Sequence, residues 1–219
     1  MAGKASERLL DSYSDERVFA ADENILNSTR STDFITPKTA VSRVFRDAVL
    51  KLAKNYPFAR PLVNSGRLSV PPFLTESALN TPDQEVFKCK VVPGAPCTDG
   101  TVSRNGQPDY LLSCLGNTFN GLLFIDKKQE LTSDVLAQLA ELAAQPTAVK
   151  TYIIANHDVD VALPTGVELL VDVYGVVKER LDAKPGTFYL TRPDQLVTAR
   201  MRQFDKAAVV AAQNKALGN

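Results

Sequence analysis

Between residues 41 and 53 the apolar positions Val41, Val44, Phe45, Ala48, Val49, Leu52 and Ala53 recur at the i, i+3, i+4 spacing of one helical face. Thr36 is the expected N-cap of this helix, with Pro37 at its first position and Asn55-Tyr56-Pro57 as its end. Upstream, Ser6 is read as the cap of a short helix, ERLLDSY. Ser14 is read as the cap of a longer one, with Asp15 and Glu16 facing the positive helix end and Val18, Ala21 and Ile25 on its apolar stripe. FARPLVNSG follows as a turn. Residues 1–66 therefore read as an all-helical segment, too thin to bury its own apolar faces.

The pattern then changes. Residues 67–83 carry Pro71, Pro72 and Pro82 with no periodicity, and read as an extended linker over a surface. Residues 84–219 alternate strand and helix. EVFKCKVV is a candidate strand, and the short apolar runs GLLFID (121–126) and KTYIIAN (150–156) read as buried strands. Ser133 is the expected cap of the helix DVLAQLAELAAQ, and a second helix is expected near 172–183. TFYLTRPDQLVTARM reads as a hairpin turning at Arg192-Pro193-Asp194-Gln195, and a last helix over 204–217 stops at Gly218. The order β-α-β-α-β-β-α starts with a parallel crossover and closes with an antiparallel hairpin. It predicts an α/β fold, a thioredoxin-like domain preceded by the helical segment.

Composition narrows the function. The 219 residues balance 25 Lys+Arg against 25 Asp+Glu, with no basic stripe, so nucleic acid is not an expected partner. No apolar run approaches the roughly 20 residues of a membrane span, and MAGKASERLL has no signal-peptide core. Cys89, Cys97 and Cys114 are odd in number and form no CxxC, which disfavours a disulfide framework or zinc site and points to a reducing cytoplasm.

Candidate chemistry is sparse. Thiol redox chemistry on this fold needs a thiolate at the helix that follows the first buried strand. That junction, Asp126 to Ser133, has no cysteine. His157, the single histidine, reads as a loop residue beside Asp158 and Asp160, with no nucleophile tied to it. Arg200 and Arg202 read as a solvated strand edge. No glycine-rich phosphate loop can be drawn. No catalytic, cofactor-binding or metal residue is assigned.

Two stretches nevertheless carry a resemblance. Leu9, Leu10, Tyr13, Glu16 and Arg17 form an LL-x-x-Y-x-x-E-R segment. Tyr189, Leu190, Arg192, Pro193, Asp194, Val197 and Arg200 form Y-L-x-R-P-D-x-x-V-x-x-R. Together with PGAP (93–96), they resemble the C-terminal region of FAD-dependent aromatic hydroxylases, the single-component flavoprotein monooxygenases that include phenol hydroxylase. Phe19 stands near where that family commonly has proline. The resemblance implies a full-length relative using FAD, NAD(P)H and O2 on an aromatic ring, whose cofactor motifs precede the region matched. It implies a non-redox thioredoxin-like tail, inactive alone, with a structural or assembly role. Its expected partners are a flavin-domain chain or a second copy, met through the N-terminal helices. The alternatives are a free-standing thioredoxin-like interaction module and, less favoured by the residues, a thiol peroxidase or reductase.

Overall fold

The computed structural model describes residues 6–63 and 71–219. Contacts divide the chain into a larger unit, residues up to Tyr13 with Leu74–Asn219, and a smaller unit, Ser14–Phe73. Residues 64–66 and 67–70, at the end of the expected helical segment and the start of the expected linker, lie outside the described residues.

One uninterrupted helix, α1 (Glu7–Ile35), replaces the short helix and the longer one expected. No glycine or proline stands between these bounds to break it, and the hydroxyl expected to start a second helix at Ser14 sits in mid-helix. Helix α2 spans Ala40–Asn55 and is capped by Thr39, which accepts the Ser42 N–H at 3.1 Å. Thr36 is not the cap, because its hydroxyl donates to the Thr32 carbonyl at 2.6 Å and closes the end of α1. A 3₁₀ turn (Pro57–Ala59) and the single-turn helix α3 (Arg60–Val63) follow where a plain turn was expected.

The larger unit is built on a seven-stranded mixed sheet. Its strands are β1 (Thr101–Arg104), β2 (Gln107–Tyr110), β3 (Phe119–Phe124), β4 (Val149–Ala155), β5 (Val167–Val171), β6 (Phe188–Thr191) and β7 (Val197–Met201), in the order β2-β1-β5-β4-β3-β6-β7. β3, β4 and β5 are parallel, while β6 runs antiparallel to β3 and β7 antiparallel to β6. Short helix α4 (Leu111–Cys114) precedes β3, α5 (Ser133–Ala143) joins β3 to β4, α6 (Val176–Arg180) joins β5 to β6, and α7 (Lys206–Ala216) follows β7. The core β-α-β…α-β-β-α is the thioredoxin-like plan expected, enlarged by β5 and the β1–β2 hairpin. Neither addition was read from the sequence.

Both sheet faces are buried, which explains the unalternating apolar runs. Phe119, Leu123 and Ile125 point into one core with Leu139 and Leu142 of α5 and Val209 and Ala212 of α7. Leu122 and Phe124 point into the other with Tyr152, Leu170, Val177 and Tyr189. Gly121 lies on the first face, where an added Cβ would collide with the Phe188 ring and meet Thr151 Oγ1 at 3.1 Å.

The candidate strand EVFKCKVV is irregular instead. It belongs to a strap, residues 81–97, that lies along β7. Thr81 and Gly94 donate backbone N–H groups to Thr198 and Val197 carbonyls at 2.8 and 2.7 Å, and Val197 donates to Ala95 at 2.9 Å. Midway, the Lys88 N–H goes to the Asp182 carboxylate at 2.9 Å, so the segment does not build a ladder there. The other edge of the sheet is blunted. Pro108 in β2 has no N–H, and the Tyr110 N–H is taken by Asp109 Oδ1 at 2.7 Å.

Candidate functional site

The place where a thioredoxin-like fold carries redox chemistry is occupied here by charge pairing. After β3, Asp126 pairs with Lys178, and its N–H donates to Glu130 Oε2 at 3.1 Å. Thr132, one residue earlier than expected, caps α5 by accepting the Val135 N–H at 3.2 Å. No cysteine reaches this junction. Burial, with Asp99 nearby, pushes the Cys97 thiol up to about 12. Burial, reinforced by Asp109, pushes Cys114 up to about 11. Neither is a nucleophilic thiolate near neutral pH.

His157 is exposed on the loop after β4, against its neighbour Asn156. Among the described residues no group of three His, Cys, Asp or Glu side chains can hold a metal ion. Between β3 and α5, where a buried parallel strand leads into an 11-residue helix, the connecting residues contain no glycine. A backbone cradle for a pyrophosphate needs glycine at such a turn, so this turn does not form one.

The side chains of the Y-L-x-R-P-D motif bond within the fold. Tyr189 donates its buried hydroxyl to the Leu181 carbonyl at 2.6 Å, and burial pushes its phenol pKa up. Arg192 pairs with Asp194 at 2.7 Å across the hairpin turn, where Gln195 adopts a left-handed φ of 65°. The Asp194 carboxylate also accepts the Leu196 N–H, the self-bonding turn chemistry expected. Arg200 and Arg202 are not a solvated edge. Arg200 is 7% exposed, donates to both carboxylate oxygens of Asp83 at 2.9 and 2.6 Å, and reaches Cys89 Sγ at 3.2 Å. Their guanidinium carbons lie 4.2 and 3.7 Å from the Phe87 ring centroid, clamping the strap to β7. Burial opposes the Arg200 charge, but the contacts with Asp83 and Tyr189 outweigh it and hold its pKa above the ordinary value. In sequence the two arginines looked exposed because their partner, the strap, is more than 100 residues away.

The functional candidate that emerges is a surface. Among the described residues of the smaller unit, only Glu16, Val49 and Ala59 are buried. The apolar stripe of α2 is turned outward: Val41 is 80% exposed, Val44 71% and Phe45 62%. Phe58 and Leu62, just beyond α2, are exposed as well. Single exposed apolar residues are ordinary, but a periodic stripe continued by further aromatic and aliphatic side chains marks a binding surface. In the first motif Leu10 and Tyr13 are also exposed, on the part of α1 that belongs to the larger unit.

No family model and no curated protein sequence matches the chain. Solved structures do. Over 98% of its length the chain is similar to the flavin-dependent monooxygenase PieE, crystallised with FAD and substrate, at 18% identity and TM-score 0.65. Over 99% it is similar to aklavinone-11 hydroxylase, crystallised with FAD and aklavinone, at 19% identity and TM-score 0.63, and to RebC, soaked with K252c, at 17% and 0.58. The chain spans 40%, 36% and 37% of those three chains. At such identities the likeness is one of fold, and it runs through both units.

Proposed function

We propose that this chain is the C-terminal, non-catalytic part of a FAD- and NAD(P)H-dependent aromatic-ring monooxygenase, with a structural or assembly role. The observation that carries this reading is the match to flavin monooxygenase structures over at least 98% of the chain, helical unit included. A bare thioredoxin-like fold would not bring those helices with it. The two sequence motifs support the same family, and the missing redox thiolate and phosphate cradle support a non-catalytic role. FAD supplies the oxygen-activating chemistry in such enzymes. No residue of this chain is assigned to hold it, and no catalytic step is assigned to the chain.

The test is direct. The purified chain is mixed with FAD, freed of unbound flavin and examined for the visible absorption of flavin. None is expected to remain. Retained flavin, or NAD(P)H oxidation by the purified chain, would overturn the non-catalytic reading. The second reading, a free-standing interaction module, draws on the exposed α2 face alone and predicts a specific, stoichiometric partner chain.

A further inference from the structure

We infer that the cavity at the carboxyl end of β3 is a binding site for a small apolar amine. The site is independent of the proposed function, since every residue it uses belongs to the larger unit.

The fold builds the cavity where ligands are expected. Its volume is about 410 Å³, within the range of small-molecule pockets. Four segments meet around it: the end of β3 at Leu123 and Ile125, the first turn of α5 at Val135, the turn into β6 at Gly186, and the approach to α7 at Gln203 and Phe204. From β3 the chain moves through α5 to β4 and β5, on one side of β3. Helix α6 then carries it back to β6, on the other side. Leu139 and Leu142 of α5 pack on one sheet face and Val177 of α6 on the other, so the connections part at the carboxyl end of β3. Open α/β sheets bind ligands in the crevice that such a reversal leaves. Backbone bonds fix its walls. The Gly186 N–H donates to the Phe124 carbonyl at 2.8 Å, and the Phe204 N–H to the Gly186 carbonyl at 2.9 Å.

The lining selects the ligand. Leu123, Ile125, Val135 and Phe204 make an apolar wall, and the Phe204 ring rests on Phe188 with centroids 5.2 Å apart. Among the described residues lining the cavity only Glu130 is ionisable. Its Oε2 accepts the Asp126 N–H at 3.1 Å, which holds the carboxylate in place. The Lys178 ammonium is engaged by Asp126. Gln203 adds an amide, set so close to Gly186 that a Cβ there would collide with it. A carboxylate only accepts hydrogen bonds. It repels an anion, whereas an ammonium gives it a charge-assisted bond about twice as strong as a neutral one. The matching ligand is a compact amine on an aromatic or aliphatic body, with its apolar part against Ile125 and Phe204 and its ammonium on Glu130.

The experiment is an amide NMR titration of the full 219-residue chain with three probes of similar shape: phenethylamine, phenethyl alcohol and hydrocinnamate. Phenethylamine is expected to shift the amides of Ile125, Val135, Gly186 and Phe204 saturably, with a Kd of about 1 mM or below. Hydrocinnamate is expected to bind about tenfold more weakly or not at all, with the alcohol between them. Glu130→Gln keeps an oxygen for the Asp126 N–H. It should weaken the amine about tenfold and leave the alcohol unchanged, with the dispersion of the amide spectrum showing that the fold is kept. No saturable shift at these amides with phenethylamine up to about 10 mM overturns the site. The alcohol or hydrocinnamate binding as tightly as the amine overturns the ligand class, and this comparison needs no variant. An amine affinity unchanged in folded Glu130→Gln overturns the role of Glu130 and the ligand class with it.

Discussion

Arg200 holds Asp83 by two hydrogen bonds, Nε to Oδ1 at 2.9 Å and Nη2 to Oδ2 at 2.6 Å, across 117 residues of chain. This pair fastens the strap to the last strand of the sheet. Removing the buried guanidinium takes away this two-pronged pair together with its bond to the Val91 carbonyl and its packing on Phe87. Arg200→Ala should lower unfolding free energy by about 3 kcal/mol in urea titration and raise hydrogen exchange across 81–97. Arg200→Lys should recover only part of the loss, since an ammonium cannot make both bonds or lie flat on Phe87.

The strap also makes stability depend on acid. The Lys88 N–H, with help from Arg202, holds the Asp182 carboxyl below its usual range. A group whose folded pKa is depressed stabilises the fold above its unfolded pKa, about 4, and that contribution is lost as pH falls through the folded value. Stability followed by chemical denaturation should decline below about pH 4, and Asp182→Asn should flatten this part of the profile while lowering stability at pH 7.

Thiol accessibility separates the three cysteines. Cys97 and Cys114 are buried with raised pKa values, whereas Cys89 is half-buried in the strap. A thiol-specific reagent at pH 8 should modify Cys89 at most in the native chain and all three after unfolding. Fast native modification of Cys97 or Cys114 would contradict the packing described.

Exposure on α2 predicts contrasting substitutions. Phe45→Asp should change the stability of the isolated chain by no more than about 0.5 kcal/mol, as expected for a surface position, because the ring is 62% exposed. Val49, 6% exposed, is buried, so Val49→Asp should melt α2, seen as lost helical circular dichroism.

Gly121 tests the packing between the sheet and Phe188. Gly121→Ala places a methyl group into the ring in the centre of β3. The expected loss is about 1–3 kcal/mol, and Phe188→Leu in the same chain should recover part of it.

The sequence alone determined what depends on neighbours along the chain. The i, i+3, i+4 stripe specified α2, because helix formation follows a local period. The apolar runs around Leu122 and Ile153 specified two strands buried on both faces, and Arg192-Pro193-Asp194-Gln195 specified the hairpin through turn chemistry within a few residues. The absence of a cysteine from 126–133 was equally legible. Tertiary structure decided the rest. Thr36 and Thr39 are both good caps, and only the bond from Thr36 back to Thr32 selects the second. EVFKCKVV has strand composition, yet Asp182 and Arg200 claim it from distant parts of the chain. β5 and the β1–β2 hairpin exist because partners are available at a sheet edge, which no local pattern records. The α2 stripe is the clearest case: periodicity identifies an apolar face, but that only Val49 of it is buried within the smaller unit is settled only by the contacts made in three dimensions.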